Sequence, residues 1–69
     1  MSTMKVIVNG NEVDIQDKST VQEFVQERNI TGTMFVIEKN LKIVPKQEYA
    51  TERLANGDKI EIAGFFGGG

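Results

Sequence analysis

The chain has 69 residues, 39% hydrophobic and 26% charged, which sizes it for one small core and excludes a second domain. Eight basic against ten acidic residues leave a net charge of −2 with no basic cluster, which argues against nucleic acid as a partner. With no cysteine and no histidine it lacks a thiol nucleophile, disulfide staples and the commonest neutral-pH base and metal ligand, so a self-contained hydrolase, zinc site or redox protein is not expected.

In chain order, Met1-Ser2-Thr3 precedes a second methionine, Met4, and reads as a short polar extension, disordered ahead of the domain, or as a cloning remnant. Lys5-Val6-Ile7-Val8-Asn9 is β-branched, Gly10-Asn11 signals a turn, and Glu12-Val13-Asp14-Ile15 alternates with period two, so a β-hairpin opens the chain. Glu12 and Asp14 face outward and Val13 and Ile15 a core. Thr20-Val21-Gln22-Glu23 fits a capping box, with the Thr20 hydroxyl accepting from the Glu23 amide and the Glu23 carboxylate reaching back. The helix it starts carries Val21, Phe24 and Val25 on one face.

Asn29 and Thr31-Gly32-Thr33 end that helix, with Ile30 folded back over its last turn. Met34-Phe35-Val36-Ile37-Glu38 is a nearly continuous apolar run, the pattern of a strand buried on both faces, and Lys39-Asn40 punctuates it. Leu41-Lys42-Ile43-Val44 is a shorter strand, stopped by Pro45, after which residues 46–50 make a turn of helix. Asn56-Gly57-Asp58 turns the chain into a last alternating strand, Lys59-Ile60-Glu61-Ile62. The expected core is Val6, Val8, Val13, Ile15, Val21, Phe24, Val25, Ile37, Ile43, Leu54, Ile60 and Ile62.

No apolar run approaches the ~20 residues that span a bilayer, and no basic segment leads an apolar one as in a secretory signal. A membrane partner is not expected, and a disulfide-free domain of this size fits the cytoplasm. The element order suits an α+β roll of the β-grasp kind, a mixed sheet of four to five strands on one main helix, over residues 1–66.

The chemistry is expected at the tail, residues 67–69. Gly67-Gly68-Gly69 follows an apolar, strand-like run, and glycine without a Cβ passes through slots too narrow for other residues. At about 3.3 to 3.6 Å per extended residue, these three glycines carry a terminal carboxylate about 10 Å beyond the last anchored residue. Phe65 and Phe66 point opposite ways by strand alternation, so one packs inward and the other is free to anchor in a partner's apolar pocket. Gly64 permits a bulge or bend before them. Lys42, Lys46, Glu48, Glu52 and Arg53 form a partner rim or simply a solvated face.

From about Met4 to Gly69 the chain resembles the sulfur carrier protein of thiamine biosynthesis, a ubiquitin-like family. The resemblance is carried by Val8-Asn9-Gly10, by Thr20-Val21 opening the helix, and by Val36-Ile37-Glu38-Lys39-Asn40 followed by Ile43-Val44-Pro45-Lys46-Gln47-Glu48-Tyr49. It ends with Gly57-Asp58-Lys59-Ile60-Glu61-Ile62 and the terminal Gly68-Gly69. Many members have Trp where Tyr49 stands and two terminal glycines rather than three.

The resemblance implies a carrier that is a protein co-substrate, not an enzyme. The Gly69 carboxylate attacks the α-phosphate of ATP on a separate adenylating enzyme, a persulfide sulfur from a donor protein displaces AMP, and reduction leaves a thiocarboxylate. Thiazole synthase then takes the sulfur. The resemblance also implies that the carrier itself binds no cofactor, ATP and Mg²⁺ belonging to the adenylating enzyme. The small subunit of molybdopterin synthase and other ubiquitin-like sulfur carriers share this tail chemistry. A ubiquitin-like modifier would instead end in an isopeptide bond, and a plain β-grasp binding module would not need the tail.

Overall fold

The computed structural model describes residues 2–30 and 35–64. Strand β1 (Thr3–Val8) pairs antiparallel with β2 (Asn11–Gln16), from Thr3 opposite Gln16 to Val8 opposite Asn11. Asn9 and Gly10 both take positive φ, at 48° and 87°, the mirror-image turn geometry whose twist matches that of the flanking strands. The ladder begins earlier than the sequence suggests. Thr3, expected in an extension, pairs with Gln16, and the Ser2 carbonyl accepts from the Asp17 amide at 3.0 Å.

Helix α1 (Val21–Glu27) opens with the expected capping box: the Glu23 amide donates to Thr20 Oγ1 at 3.1 Å and the Thr20 amide to Glu23 Oε1 at 2.9 Å. Its other early amides are met by a distant loop, Val21 donating to the Glu52 carbonyl at 2.8 Å and Gln22 to the Tyr49 carbonyl at 3.0 Å. The orphan donors of the first turn are thereby used to stitch the helix to residues 49–54. At the far end Asn29, with φ 56°, sends its amide to the Gln26 carbonyl while the Ile30 amide reaches back to Val25. These two bonds are a Schellman closure, with asparagine tolerating the left-handed position, and Ile30 folds onto the core as expected.

Strands β3 (Phe35–Lys39), β4 (Lys42–Val44) and β5 (Lys59–Gly64) complete a five-stranded mixed sheet in the order β2-β1-β5-β3-β4. Between β4 and β5 lies one 3-10 turn (Lys46–Glu48), whose N-cap is Pro45. The central β1–β5 pair is parallel and β5 is antiparallel to β3, the placement of a β-grasp. Met4, Val6, Val8, Ile15, Phe35, Ile37, Val44 and Ile60 from the sheet enclose a core with Val21, Phe24, Tyr49 and Leu54. Phe35 and Tyr49 stack at 6.5 Å between ring centroids.

Two expectations about burial are corrected. The β3 run is not buried on both faces: Phe35 and Ile37 are inside, but Val36 is 44% exposed. One helix covers only one face of the sheet, so an apolar run here still alternates in burial. Ile43, expected in the core, is 65% exposed, because the register places it opposite Glu38 on the outer face and turns Val44 inward. Leu41, read as a strand residue, occupies the β3–β4 turn with φ 71°. Val13, Val25 and Ile62 pack at the margin of the core, and Met4, Val44 and Tyr49 join it unanticipated. Thr31, Gly32, Thr33 and Met34 lie outside the described residues.

Candidate functional site at the C-terminal strand

The tail residues named from the sequence, Phe65, Phe66, Gly67, Gly68 and Gly69, lie outside the described residues. What the structure defines is the strand that leads to them. β5 runs between β1 and β3, with Ile60 fully buried near its start and paired with Val8 on one side and Lys39 on the other.

Two asparagines fasten it. At its start the Asn40 amide donates to the Lys59 carbonyl at 2.8 Å, and Asn40 Oδ1 accepts from the Lys59 amide at 2.9 Å. Asn40 Nδ2 also donates to Asp58 Oδ1 at 3.0 Å, and the other Asp58 oxygen accepts from the Ala55 amide at 2.8 Å. The turn before β5 is pinned to β1 as well, through Lys5 to Asn56 Oδ1 at 2.9 Å and Gly57 to the Lys5 carbonyl at 2.7 Å.

Asn9 works further along. β1 ends at Val8, and beyond it the Asn9 amide donates to the Ile60 carbonyl at 2.9 Å. Its side chain then imitates a peptide group: Oδ1 accepts from the Ile62 amide at 2.8 Å and Nδ2 donates to the Ile62 carbonyl at 3.4 Å. The ladder on the β1 side is thus prolonged by two residues toward the tail. On the other side β3 holds β5 to its last residue, with Phe35 opposite Gly64. Gly64 has φ 134°, a backbone conformation that side chains with a Cβ resist.

Sequence reasoning took Asn9 as the end of the first strand and part of the Val8-Asn9-Gly10 motif, and Asn40 as punctuation after β3, and gave neither a partner. The signal available was residue type: both hold left-handed positions, φ 48° and 52°, where glycine would serve the backbone but has no amide to offer.

The charged residues considered as a rim divide differently. Glu52 pairs with Lys39, Lys39 Nζ donates to the Arg53 carbonyl at 3.2 Å, and Arg53 donates to the Lys18 carbonyl at 2.6 Å, so these residues brace the fold. Lys46 lies 5.2 Å over the Phe35 ring. Lys5 is held above its ordinary range by its hydrogen bond to Asp14 and that carboxylate's charge, and burial pushes Tyr49 up. Lys5 therefore stays cationic and Tyr49 neutral near pH 7. Among the described residues no three His, Cys, Asp or Glu side chains gather as metal ligands, and no helix is long and apolar enough to cross a membrane. A polar groove of about 460 Å³, lined by residues such as Gln16, Glu23 and Arg53, touches no residue of β5.

The model of the ThiS family matches residues 5–69. A sulfur carrier protein ThiS of Bacillus subtilis is 32% identical over 63 residues, covering 90% of this chain and 96% of that protein. A thiazole synthase of Paramagnetospirillum magneticum is 39% identical over 66 residues, which is 96% of this chain but only 20% of that enzyme's length. Among solved structures, the crystal structure of the thiamine biosynthesis protein ThiS from Geobacter metallireducens superposes with a TM-score of 0.79 at 22% identity, covering 96% of this chain and all of that one.

Proposed function

As the chain belongs to the ThiS family, we propose that it is a sulfur carrier of thiamine biosynthesis that works through its C-terminal Gly69 carboxylate. The observation that supports the reading is the fastening of β5 from both flanks, to Ile62 on the β1 side and to Gly64 on the β3 side. A carrier needs this combination of a fixed base and a slender arm, because the arm must reach a partner's active site while the domain is held at its mouth.

The reaction is set by the poor acylating power of a carboxylate, whose negative charge repels nucleophiles and whose oxide is a poor leaving group. On an adenylating enzyme the Gly69 carboxylate attacks the α-phosphate of ATP, forming the acyl-adenylate and releasing pyrophosphate. The partner's Mg²⁺ and cationic groups stabilise the charge on the phosphates. A persulfide on a sulfur-donor protein attacks the acyl carbon and expels AMP, and a thiol reductant cleaves the sulfur–sulfur bond to leave the thiocarboxylate. Thiazole synthase accepts that sulfur and the carboxylate is regenerated, so the carrier is a recycled co-substrate and not an enzyme. Without cysteine it offers no thiol that would intercept its own acyl-adenylate, and a cytoplasmic setting agrees with the same composition.

In this reading Gly67 and Gly68 thread the partner's channel, and whichever of Phe65 and Phe66 faces outward anchors in an apolar pocket at its mouth. The test is the intact mass of the chain after incubation with ATP, a sulfur donor and the adenylating enzyme. A gain equal to one oxygen exchanged for sulfur, mapped to Gly69 and absent when Gly69 is deleted, is the expected result. No adenylate and no sulfur, with an enzyme active on its own carrier, would refute the assignment.

A further inference from the structure

Two asparagines are followed by glycine, in Asn9-Gly10 and Asn56-Gly57. The amide nitrogen of the next residue can attack an asparagine side chain and close a succinimide ring, most readily when that residue has no Cβ to obstruct the closure. Asn11, Asn29 and Asn40 precede Glu12, Ile30 and Leu41 and are disfavoured on that ground. Between the two remaining steps the fold decides, through its hold on the reacting atoms. The side-chain Cγ must swing toward the glycine nitrogen, and that nitrogen must be able to give up its proton.

At Asn56 both reacting groups are tied to the backbone of Lys5. The Gly57 amide donates to the Lys5 carbonyl at 2.7 Å, and Asn56 Oδ1 accepts from the Lys5 amide at 2.9 Å. Lys5 lies within β1, opposite Asp14 of β2, and the Asp58 carboxylate braces the same turn at Ala55 and Asn40. Freeing this site means parting the turn from the sheet. At Asn9 the restraint is lighter. Gly10 is exposed, and among the described residues no hydrogen bond holds its amide. Of the reacting groups only the Asn9 carboxamide is engaged, by the Ile62 amide at 2.8 Å and the Ile62 carbonyl at 3.4 Å, close to the end of β5 at Gly64.

We propose that Asn9 is a deamidation site of this chain, gated by its own clasp on Ile62. When the end of β5 opens, the Gly10 nitrogen attacks the freed Asn9 Cγ. A carbon–nitrogen bond forms to it, the carboxamide nitrogen leaves as ammonia with the proton that Gly10 gives up, and a succinimide remains. Water then opens the ring: cleavage at the side-chain carbonyl leaves aspartate, and cleavage at the main-chain carbonyl leaves isoaspartate, with the backbone lengthened by a methylene. The net change is amide and water to carboxylate and ammonium, with nothing oxidised or reduced. Either product sets a carboxylate oxygen where Asn9 Nδ2 met the Ile62 carbonyl, so a donor is lost and two acceptors face each other. Isoaspartate also displaces the β1–β2 turn. The reaction thus removes the clasp that restrained it and loosens β5 near its end, and it does not depend on the carrier function proposed above.

The experiment ages the full chain in mildly alkaline buffer, native and unfolded in urea, and follows each site by peptide mass. Trypsin separates Asn9, in residues 6–18, from Asn56, in residues 54–59, and fragmentation distinguishes Asn9 from Asn11 and aspartate from isoaspartate. In the unfolded chain the two Asn-Gly steps react at similar rates. In the native chain Asn9 reacts more slowly than when unfolded but at least about tenfold faster than Asn56, because opening a strand end costs less than parting a turn from the sheet. Low urea raises the Asn9 rate in step with hydrogen exchange at the Ile62 amide, and the purified isoaspartyl form exchanges faster there than the parent. Asn56 reacting as fast as Asn9 in the native chain overturns the proposal. So does an Asn9 rate that is the same native and unfolded, or one that stays put while Ile62 exchange quickens. Two native sites that both stay intact while the unfolded chain is converted overturn it as well.

Discussion

Removing the Asn9 side chain should loosen β5 on the side where β1 has already ended. Asn9→Gly keeps the positive φ of 48° and deletes only the amide that bridges Ile62 at 2.8 and 3.4 Å. A net contribution of about 0.5–1.5 kcal/mol per hydrogen bond, with the longer one counted at the low end, gives a loss of about 1–2 kcal/mol. For a domain of this size each kcal/mol moves the melting temperature by about 4–8 °C, so a fall of about 5–15 °C is expected. Asn9→Ala should fall further, since an alanine in the left-handed region adds about 1–2 kcal/mol. Asn9→Asp should lie between the parent and Gly, keeping an oxygen for the Ile62 amide but turning another toward its carbonyl. Thermal denaturation by circular dichroism gives the melting temperatures, and hydrogen exchange at the Ile62 amide tests the cause. If Asn9→Gly melts with the parent and Ile62 exchanges no faster, the amide does not hold the strand and the account of β5 as a fixed base for the tail is wrong.

Gly64→Ala forces a Cβ onto φ 134° and should slow sulfur loading at Gly69 by redirecting the tail, while costing about 1–3 kcal/mol of stability; equal single-turnover rates would refute the redirection. Thr20→Ala should cost about 1 kcal/mol through loss of the cap, measured by urea denaturation, and Thr20→Ser should recover most of it. Above pH 10 the fold should weaken. Lys5 and Tyr49 both hold their protons to higher pH in the native state than in the unfolded chain, so their contribution is complete below their ordinary values of 10.5 and 10.0 and is lost as pH rises through the raised ones. Melting curves between pH 9 and 11.5 should show the loss, and Lys5→Met with Tyr49→Phe should flatten it.

Local chemistry made much of this molecule legible from residues alone. The capping box depends on two side chains three residues apart, so Thr20 and Glu23 announced the start of α1. Gly10 and Gly57 marked turns because their φ values, 87° and 88°, suit glycine. The alternation of Lys59, Ile60, Glu61 and Ile62 gave the last strand its inner face for the same kind of reason: side chains alternate whatever the strand's neighbours are. The tail's part in the proposed function also rests on sequence and family, since residues 65–69 lie outside the described structure.

Burial and partnership belonged to the tertiary structure. Ile43 and Val44 are adjacent aliphatics, and only pairing with Glu38 and Ile37 decides which one faces the helix. Val36 looked internal until a single helix was seen to cover one face of the sheet alone. Asn9 and Asn40 lie 53 and 19 residues from the β5 amides they bind, a separation no local pattern encodes. Glu38 and Glu61 become a facing pair only through the β3–β5 register. Sequence by itself determined what each segment prefers, because propensity, capping and alternation act over a few bonds, whereas the closing of the sheet around β5 decided which distant residues meet.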